Sequence, residues 1–125
     1  MKPQNTFREK RKYPRINKRI AFKLKEKDTL LFAETIDLSC IGAYCQVNSY
    51  VPFLTRLKIV FELPSGNRED PVEYAECFGV VVRVEKILSE TTCGDVYNMA
   101  IFFHEIEERE RKKIDNFVKT HKNPF

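Results

Sequence analysis

The chain has 125 residues, with 22 Lys and Arg against 18 Asp and Glu, a net charge of +4, and 42% hydrophobic residues. That is the size and balance of one globular domain able to bury a core, and it excludes a disordered chain; no apolar run approaches the ~20 residues a membrane-spanning helix needs. The charge is unevenly placed: residues 1–19 hold eight basic residues and one acidic residue, +7, whereas the rest of the chain sums to −3.

The leading segment MKPQNTFREKRKYPR is basic and lacks the apolar stretch of a signal peptide, so a cytoplasmic location is expected. Such an arm serves either as a solvated tail or as an anion-binding element for nucleic acid, a membrane surface or a phosphorylated small molecule. RIAFKLK then alternates, with Ile20, Phe22 and Leu24 on one side and Ala21, Lys23 and Lys25 on the other, which predicts a half-buried strand. After a turn at KEKD, TLLFAETIDL predicts a returning strand with Leu30, Phe32, Ile36 and Leu38 on one side. AYCQVNS continues beyond Gly42 as a further strand, VPFLT is a loop, and RLKIVFEL is the plainest strand, with Leu57, Ile59, Phe61 and Leu63 in register. PSGNRED reads as a turn. VEYAECFGVVVRVEKI predicts one bent strand or two, with Gly79 at a kink or a close approach. LSETTCGD is a hairpin loop, and VYNMAIFF is the last strand, with Tyr97, Met99, Ile101 and Phe103 inward. EIEERERKKIDNFVKTHK predicts a helix in which Ile106, Ile114, Phe117 and Val118 share a face, and its acidic start and basic end suit the helix dipole. The expected architecture is therefore mostly β: a basic arm over 1–19, a six-stranded antiparallel β-barrel over 20–104 and a C-terminal α-helix over 105–122.

Chemistry is sparse along these elements. Cys40, Cys45, Cys77 and Cys93 form no CxxC pair, and neither His104 nor His121 stands at ligand spacing from a second histidine, so no metal site is expected. The cysteines read as small buried apolar residues in a reducing compartment. Nucleophile elbows, HExxH and phosphate-binding glycine loops are absent, so no enzyme is expected. The unusual stretch is TIDLSCIGAYCQV, in which Asp37, Ser39 and Gly42 interrupt a strand-like apolar pattern. Such interruptions weaken a sheet, and a bound ligand is one way to offset the cost. Taken singly, Asp37 and Ser39 could close a local turn, Gly42 could relieve a bend, and Arg11 and Arg15 could simply be solvated.

Taken together, these residues carry a resemblance. RKYPR, an RxxxR pattern with Arg11 and Arg15, is followed some 22 residues later by DLSCIG, a DxSxxG pattern with Asp37, Ser39 and Gly42. The pair resembles the PilZ domain, the bacterial receptor module for cyclic di-GMP. The likeness covers nearly the whole chain, including GVVVR and an aromatic-ended final strand before a charged helix. It implies a six-stranded β-barrel, in agreement with the pattern, and an arm that closes over cyclic di-GMP on the face bearing Asp37, Ser39 and Gly42. The chemistry suits those roles. An arginine fork matches guanine O6 and N7, and a carboxylate accepts from the opposite edge of the base. Ser39 supplies a short hydrogen bond, and Gly42 lets the ligand approach the backbone.

Lys10, Arg83 and Asn98 are further candidates. Lys10 precedes RxxxR at a position whose variation in the family goes with binding one ligand or a stacked pair. Asn98 and Ala100 stand where members often carry glycine. The arm, rich in like charge and poor in apolar surface, is expected to be mobile until a ligand orders it. The implied function is a cyclic di-GMP receptor or adaptor, without cofactor, that changes arm conformation and signals to an unidentified effector protein in the control of motility, biofilm or surface polysaccharide. A small nucleic-acid-binding β-barrel using the same arm is the alternative. The negative charge outside the arm and an expected scarcity of exposed aromatic and basic residues on the strands argue against it. A degenerate PilZ module acting through protein contacts alone is a third reading, opposed by the intact motifs.

Overall fold

The computed structural model describes residues 13–64, 72–87 and 94–121. Six antiparallel strands, β1 (Ala21–Glu26), β2 (Thr29–Ser39), β3 (Gly42–Val47), β4 (Arg56–Leu63), β5 (Glu73–Ile87) and β6 (Val96–Glu105), precede one helix, α1 (Glu108–His121). They close a barrel in the order β1-β2-β3-β6-β5-β4. Period-two alternation accounts for most of it. On β4 the residues Leu57, Ile59, Phe61 and Leu63 are all buried, and on β6 Met99, Ile101 and Phe103 are as well.

β2 breaks the expected alternation. Leu30 and Phe32 are exposed, at 51% and 64%, and Ala33 and Thr35 turn inward instead. The reason lies across the strands. Phe22 pairs with Ala33 on one side and Phe61 on the other, and Phe61 pairs with Ala75. Phe22 and Phe61 lie with ring centroids 4.8 Å apart. The inner row thus runs small, large, large, small, and with buried Phe103 also lying 5.8 Å from Phe61, Phe32 is accommodated outside. A register shift between Thr35 and Asp37, a β-bulge at Ile36, then inverts the phase of the strand. Leu38 goes in, as expected, and Asp37 comes out toward the surface.

The chain entering β1 is docked. Ile16 and Leu38 exchange two backbone hydrogen bonds of 3.0 Å, and both side chains are buried. Thr35 N donates to Ile20 O at 2.9 Å, while Thr35 Oγ1 accepts from Ile20 N at 2.9 Å and donates to Lys18 O. Tyr13 accepts a 2.8 Å hydrogen bond from Arg111 of α1, whose guanidinium lies 5.4 Å from the Tyr13 ring centroid. Residues 13–19 of the expected arm thus lie docked on the barrel, with Ile16 as the apolar anchor that the arm's charge conceals. Arg11 and Lys10 lie outside the described residues.

β5 is a single long strand, bent by register shifts between Phe78 and Val80 and between Val81 and Arg83. Gly79 sits at that bend: a Cβ there would stand 2.5 Å from Ile101 Cγ2 and 2.8 Å from Ile59 Cδ1. The helix begins at Glu108 rather than 105, because β6 runs on through Glu105. Ile114, Phe117 and Val118 are buried, and the partly buried Ile106 precedes the helix. Glu110 Oε1 accepts from Glu76 N at 2.9 Å, and Lys113 Nζ donates to Tyr74 O at 3.0 Å, fastening α1 to β5. The outer face carries aromatic surface, against the expected scarcity: Phe32, Tyr74, Phe78 and Phe102 are exposed. No helix among the described residues is long and apolar enough to cross a membrane.

Two expectations follow from this packing. Gly79→Ala should destabilise the protein by about 1–3 kcal/mol, because a Cβ overpacks the core at a site bounded by two isoleucines; urea unfolding measures it, and unchanged stability would contradict the contact. Burial pushes the Cys45 and Cys77 thiols up to about 12 and raises that of Cys40, where burial leads and the Asp115 charge adds to it. In the folded protein at pH 8 all three should therefore resist iodoacetamide, and should react only on unfolding, as peptide mass mapping would show.

Candidate functional site

Strand order brings β2, β3, β6 and β5 side by side. One cross-strand row spans all four: Asp37 pairs with Tyr44, Tyr44 with Ala100, and Ala100 with Arg83. In the adjacent row Ser39 pairs with Gly42, Gly42 with Phe102, and Phe102 with Val80. A cleft of ≈ 510 Å³ lies over these rows, and Arg15, Asp37, Ser39, Gly42 and Arg83 all line it. Candidates from the incoming chain, β2, β3 and β5 thus meet at one place.

Arg15 reaches the cleft because the Ile16–Leu38 bridge lays the incoming chain along β2, beside Asp37. Arg15 Nη1 donates to Asp37 Oδ2 at 3.3 Å, with the arginine side chain 42% exposed and the aspartate 22%. Asp37 Oδ1 is buried and has no hydrogen-bond partner among the described residues. An unpaired buried acceptor costs about 1–3 kcal/mol, so this oxygen favours any donor brought to it.

Ser39 and Gly42 serve the turn as well as the cleft. Ser39 is buried, and its Oγ accepts from Ile41 N at 3.2 Å and stands 3.5 Å from Gly42 O, which closes the β2–β3 turn. A Cβ on Gly42 would lie 2.6 Å from Ile101 O, so the close approach that requires glycine here is to the backbone of β6.

At the other end of the row, Arg83 Nη2 donates to Glu85 Oε2 at 3.4 Å, and Tyr44 Oη donates to Glu85 Oε1 at 3.0 Å. Asn98 belongs to the next row, where its Oδ1 accepts from Gln46 Nε2 at 3.4 Å, and it does not line the cleft. Lys10 and Arg11 fall outside the described residues. Among the described residues no group of His, Cys, Asp and Glu could hold a metal ion.

Sequence reasoning missed Tyr44, Val82 and Phe102 as cleft residues. The signal was present for two of them. Tyr44 lies two residues from Gly42, and Phe102 alternates with the inward Ile101 and Phe103, so period two puts both on the outer face. Ala100, read as a departure from the family pattern, forms the floor between Tyr44 and Arg83.

The family model of the PilZ domain matches residues 9–120. Among solved structures, the chain is similar to the inhibitor of motility MotI/DgrA from Bacillus subtilis, at 16% identity and a TM-score of 0.69, over 90% of this chain and 50% of that one. It is also similar to the PilZ domain with c-di-GMP of YcgR from Escherichia coli, at 12% identity and a TM-score of 0.61, over 90% of this chain and 91% of that one. The chain thus spans about half the length of the motility inhibitor, and at these identities the likeness concerns the fold. A search of curated protein sequences found no significant match. PilZ domains are binding or adaptor modules rather than enzymes. The closed six-stranded barrel is the fold the resemblance implies, the family match runs almost from end to end, and the chain belongs to the PilZ family.

Proposed function

We propose that this protein is a cytoplasmic receptor for cyclic di-GMP that signals to an effector protein through its basic arm. The observation that carries the reading is the meeting of Arg15 and Asp37 over one cleft, from 22 residues apart, with one Asp37 oxygen buried and unpaired among the described residues. Guanine presents N1–H and N2–H donors to a carboxylate on one edge and O6 and N7 acceptors to an arginine on another. Arg11, Arg15 and Lys10 then meet the phosphates and bases, Asp37 reads guanine, and Ser39 and Gly42 shape the surface beneath. Arg83 completes the cleft at its far side, and Asn98, in the next row, remains a candidate beside it. Arg15 gives up an exposed ion pair worth about 0–1 kcal/mol for charge-assisted bonds worth about 1.5–3 kcal/mol each.

Residues 13–19 are docked on the barrel, so we place the ligand-dependent clamp in the stretch before Tyr13, which carries Lys10 and Arg11. Ordering costs roughly 1–2 kcal/mol per residue, so only a short stretch can be clamped. The relocated arm, or the surface it covers, is what a partner in motility, biofilm or polysaccharide control would read.

Calorimetric titration with cyclic di-GMP, cyclic di-AMP, GTP and duplex DNA tests the reading. Cyclic di-GMP should bind roughly 5- to 150-fold more tightly than cyclic di-AMP, because adenine leaves the Asp37 carboxylate unpaired. Arg15→Ala should weaken it by roughly 10- to 150-fold. Equal affinity for the two dinucleotides would sink the guanine assignment. The exposed aromatics of the barrel make the DNA comparison informative. Tight DNA binding with a steep salt dependence, and no response to cyclic di-GMP, would establish the nucleic-acid alternative instead.

Amide hydrogen exchange supplies a separate measurement of the clamp. Residues 8–12 should exchange more slowly at saturating cyclic di-GMP, and unchanged exchange there would refute the arm as the moving part.

A further inference from the structure

Among the described residues the cleft has two arginines, and each is held by a carboxylate. Arg15 lies on Asp37 at the β2 end of the row, and Arg83 lies on Glu85 at the β5 end. Neighbouring strands lie about 4.8 Å apart, so the two ends are separated by three strand intervals, roughly 14 Å. Between them are Tyr44 and the small Ala100. The two carboxylates differ in one respect. Asp37 lines the cleft and is a candidate base reader, whereas Glu85 sits in the neighbouring row, beyond the cleft lining.

We infer that Glu85 competes with the anionic group of the ligand for Arg83: it occupies Arg83 at the cleft rim and thereby sets the affinity of the site. This rests on the cyclic di-GMP reading and adds to it how one end of the site is regulated. The Arg83–Glu85 pair is long, at 3.4 Å, and both side chains are well exposed, at 65% and 44%. An exposed pair of this kind is worth about 0–1 kcal/mol and exchanges easily. A phosphate in the cleft offers Arg83 a bidentate, charge-assisted alternative.

Tyr44 makes the exchange asymmetric. Its hydroxyl donates to Oε1, while Arg83 donates to Oε2, so the two donors use different oxygens of one carboxylate. When Arg83 turns to a phosphate, Glu85 keeps the phenol bond and water as its partners. It therefore stays in its own row instead of following the arginine into the cleft. Glu85 is thus a positioning residue that acts on the ligand only through Arg83, by competing for that side chain.

Titration of cyclic di-GMP into the wild type, Glu85→Gln, Arg83→Ala and the double variant tests the inference. The amide oxygen introduced by Glu85→Gln still accepts from Tyr44, so this substitution removes the charge and keeps the geometry; circular dichroism and thermal melting confirm the fold of these surface variants. Glu85→Gln should bind about 2- to 5-fold more tightly than wild type. Arg83→Ala should bind roughly 10-fold more weakly or worse. In the Arg83→Ala background, adding Glu85→Gln should change nothing, since the competition has lost its object. A wild type that binds while Glu85→Gln is unchanged or weaker overturns this inference and leaves the receptor reading standing. A gain from Glu85→Gln that persists without Arg83 also overturns it, because Glu85 then acts as a general field alone. A wild type that fails to bind cyclic di-GMP overturns the receptor reading itself, and this inference with it.

Discussion

The bulge at Ile36 is the constraint on which the rest of the site depends. One extra residue in β2 changes which side chains face the barrel interior, from Ala33 and Thr35 before it to Leu38 after it. Without the inversion, Leu38 would face water and Asp37 the core, where an isolated carboxylate is strongly disfavoured. With it, the first half of β2 makes room for the Phe22–Phe61 pair, and the second half presents Asp37 to the cleft. Bulges are common beside functional sites for this reason: they re-aim one side chain without abandoning the sheet.

The incoming chain is held by a division of labour between neutral and charged interactions. Ile16, Ile20 and the Thr35 hydrogen bonds anchor it by burial and by backbone pairing. The charged groups, Arg15 above all, contribute little to that anchoring, because their ion pairs are long and exposed. The arginine is therefore placed firmly by its neighbours yet remains free to change partners. A site built the other way, with buried and tightly paired arginines, would have to break costly contacts before binding an anion.

The tie between Tyr13 and Arg111 adds a second point of attachment, from the residue two before Arg15 to the C-terminal helix. The helix is in turn fastened to β5 through Glu110 and Lys113, close to the end of the strand remote from Arg83. The incoming chain, the helix and the cleft are thus joined through short polar contacts laid over an apolar frame.

The sequence alone determined the class of fold and much of the site. Three clean alternating runs, RIAFKLK, RLKIVFEL and VYNMAIFF, and one amphipathic segment describe a β-barrel with a helix, because period two and period 3.6 are local properties of a half-buried chain. Arg15, Asp37, Ser39 and Gly42 were legible as motif residues, and they line one cleft. What lay beyond sequence were properties set by partners distant along the chain. The outward turn of Leu30 and Phe32 depends on Ala33 facing Phe22, and the bulge that then restores Leu38 has no local signature. The docking of residues 13–19 follows from Ile16 finding Leu38, an apolar pairing hidden inside a run of charge. Gly42 is required by the Ile101 carbonyl, and the Tyr44–Glu85–Arg83 cluster by the neighbourhood of β3, β6 and β5. Only closure of the barrel decides which strands are neighbours, and cross-strand packing and hydrogen bonding act between residues that the chain order keeps far apart.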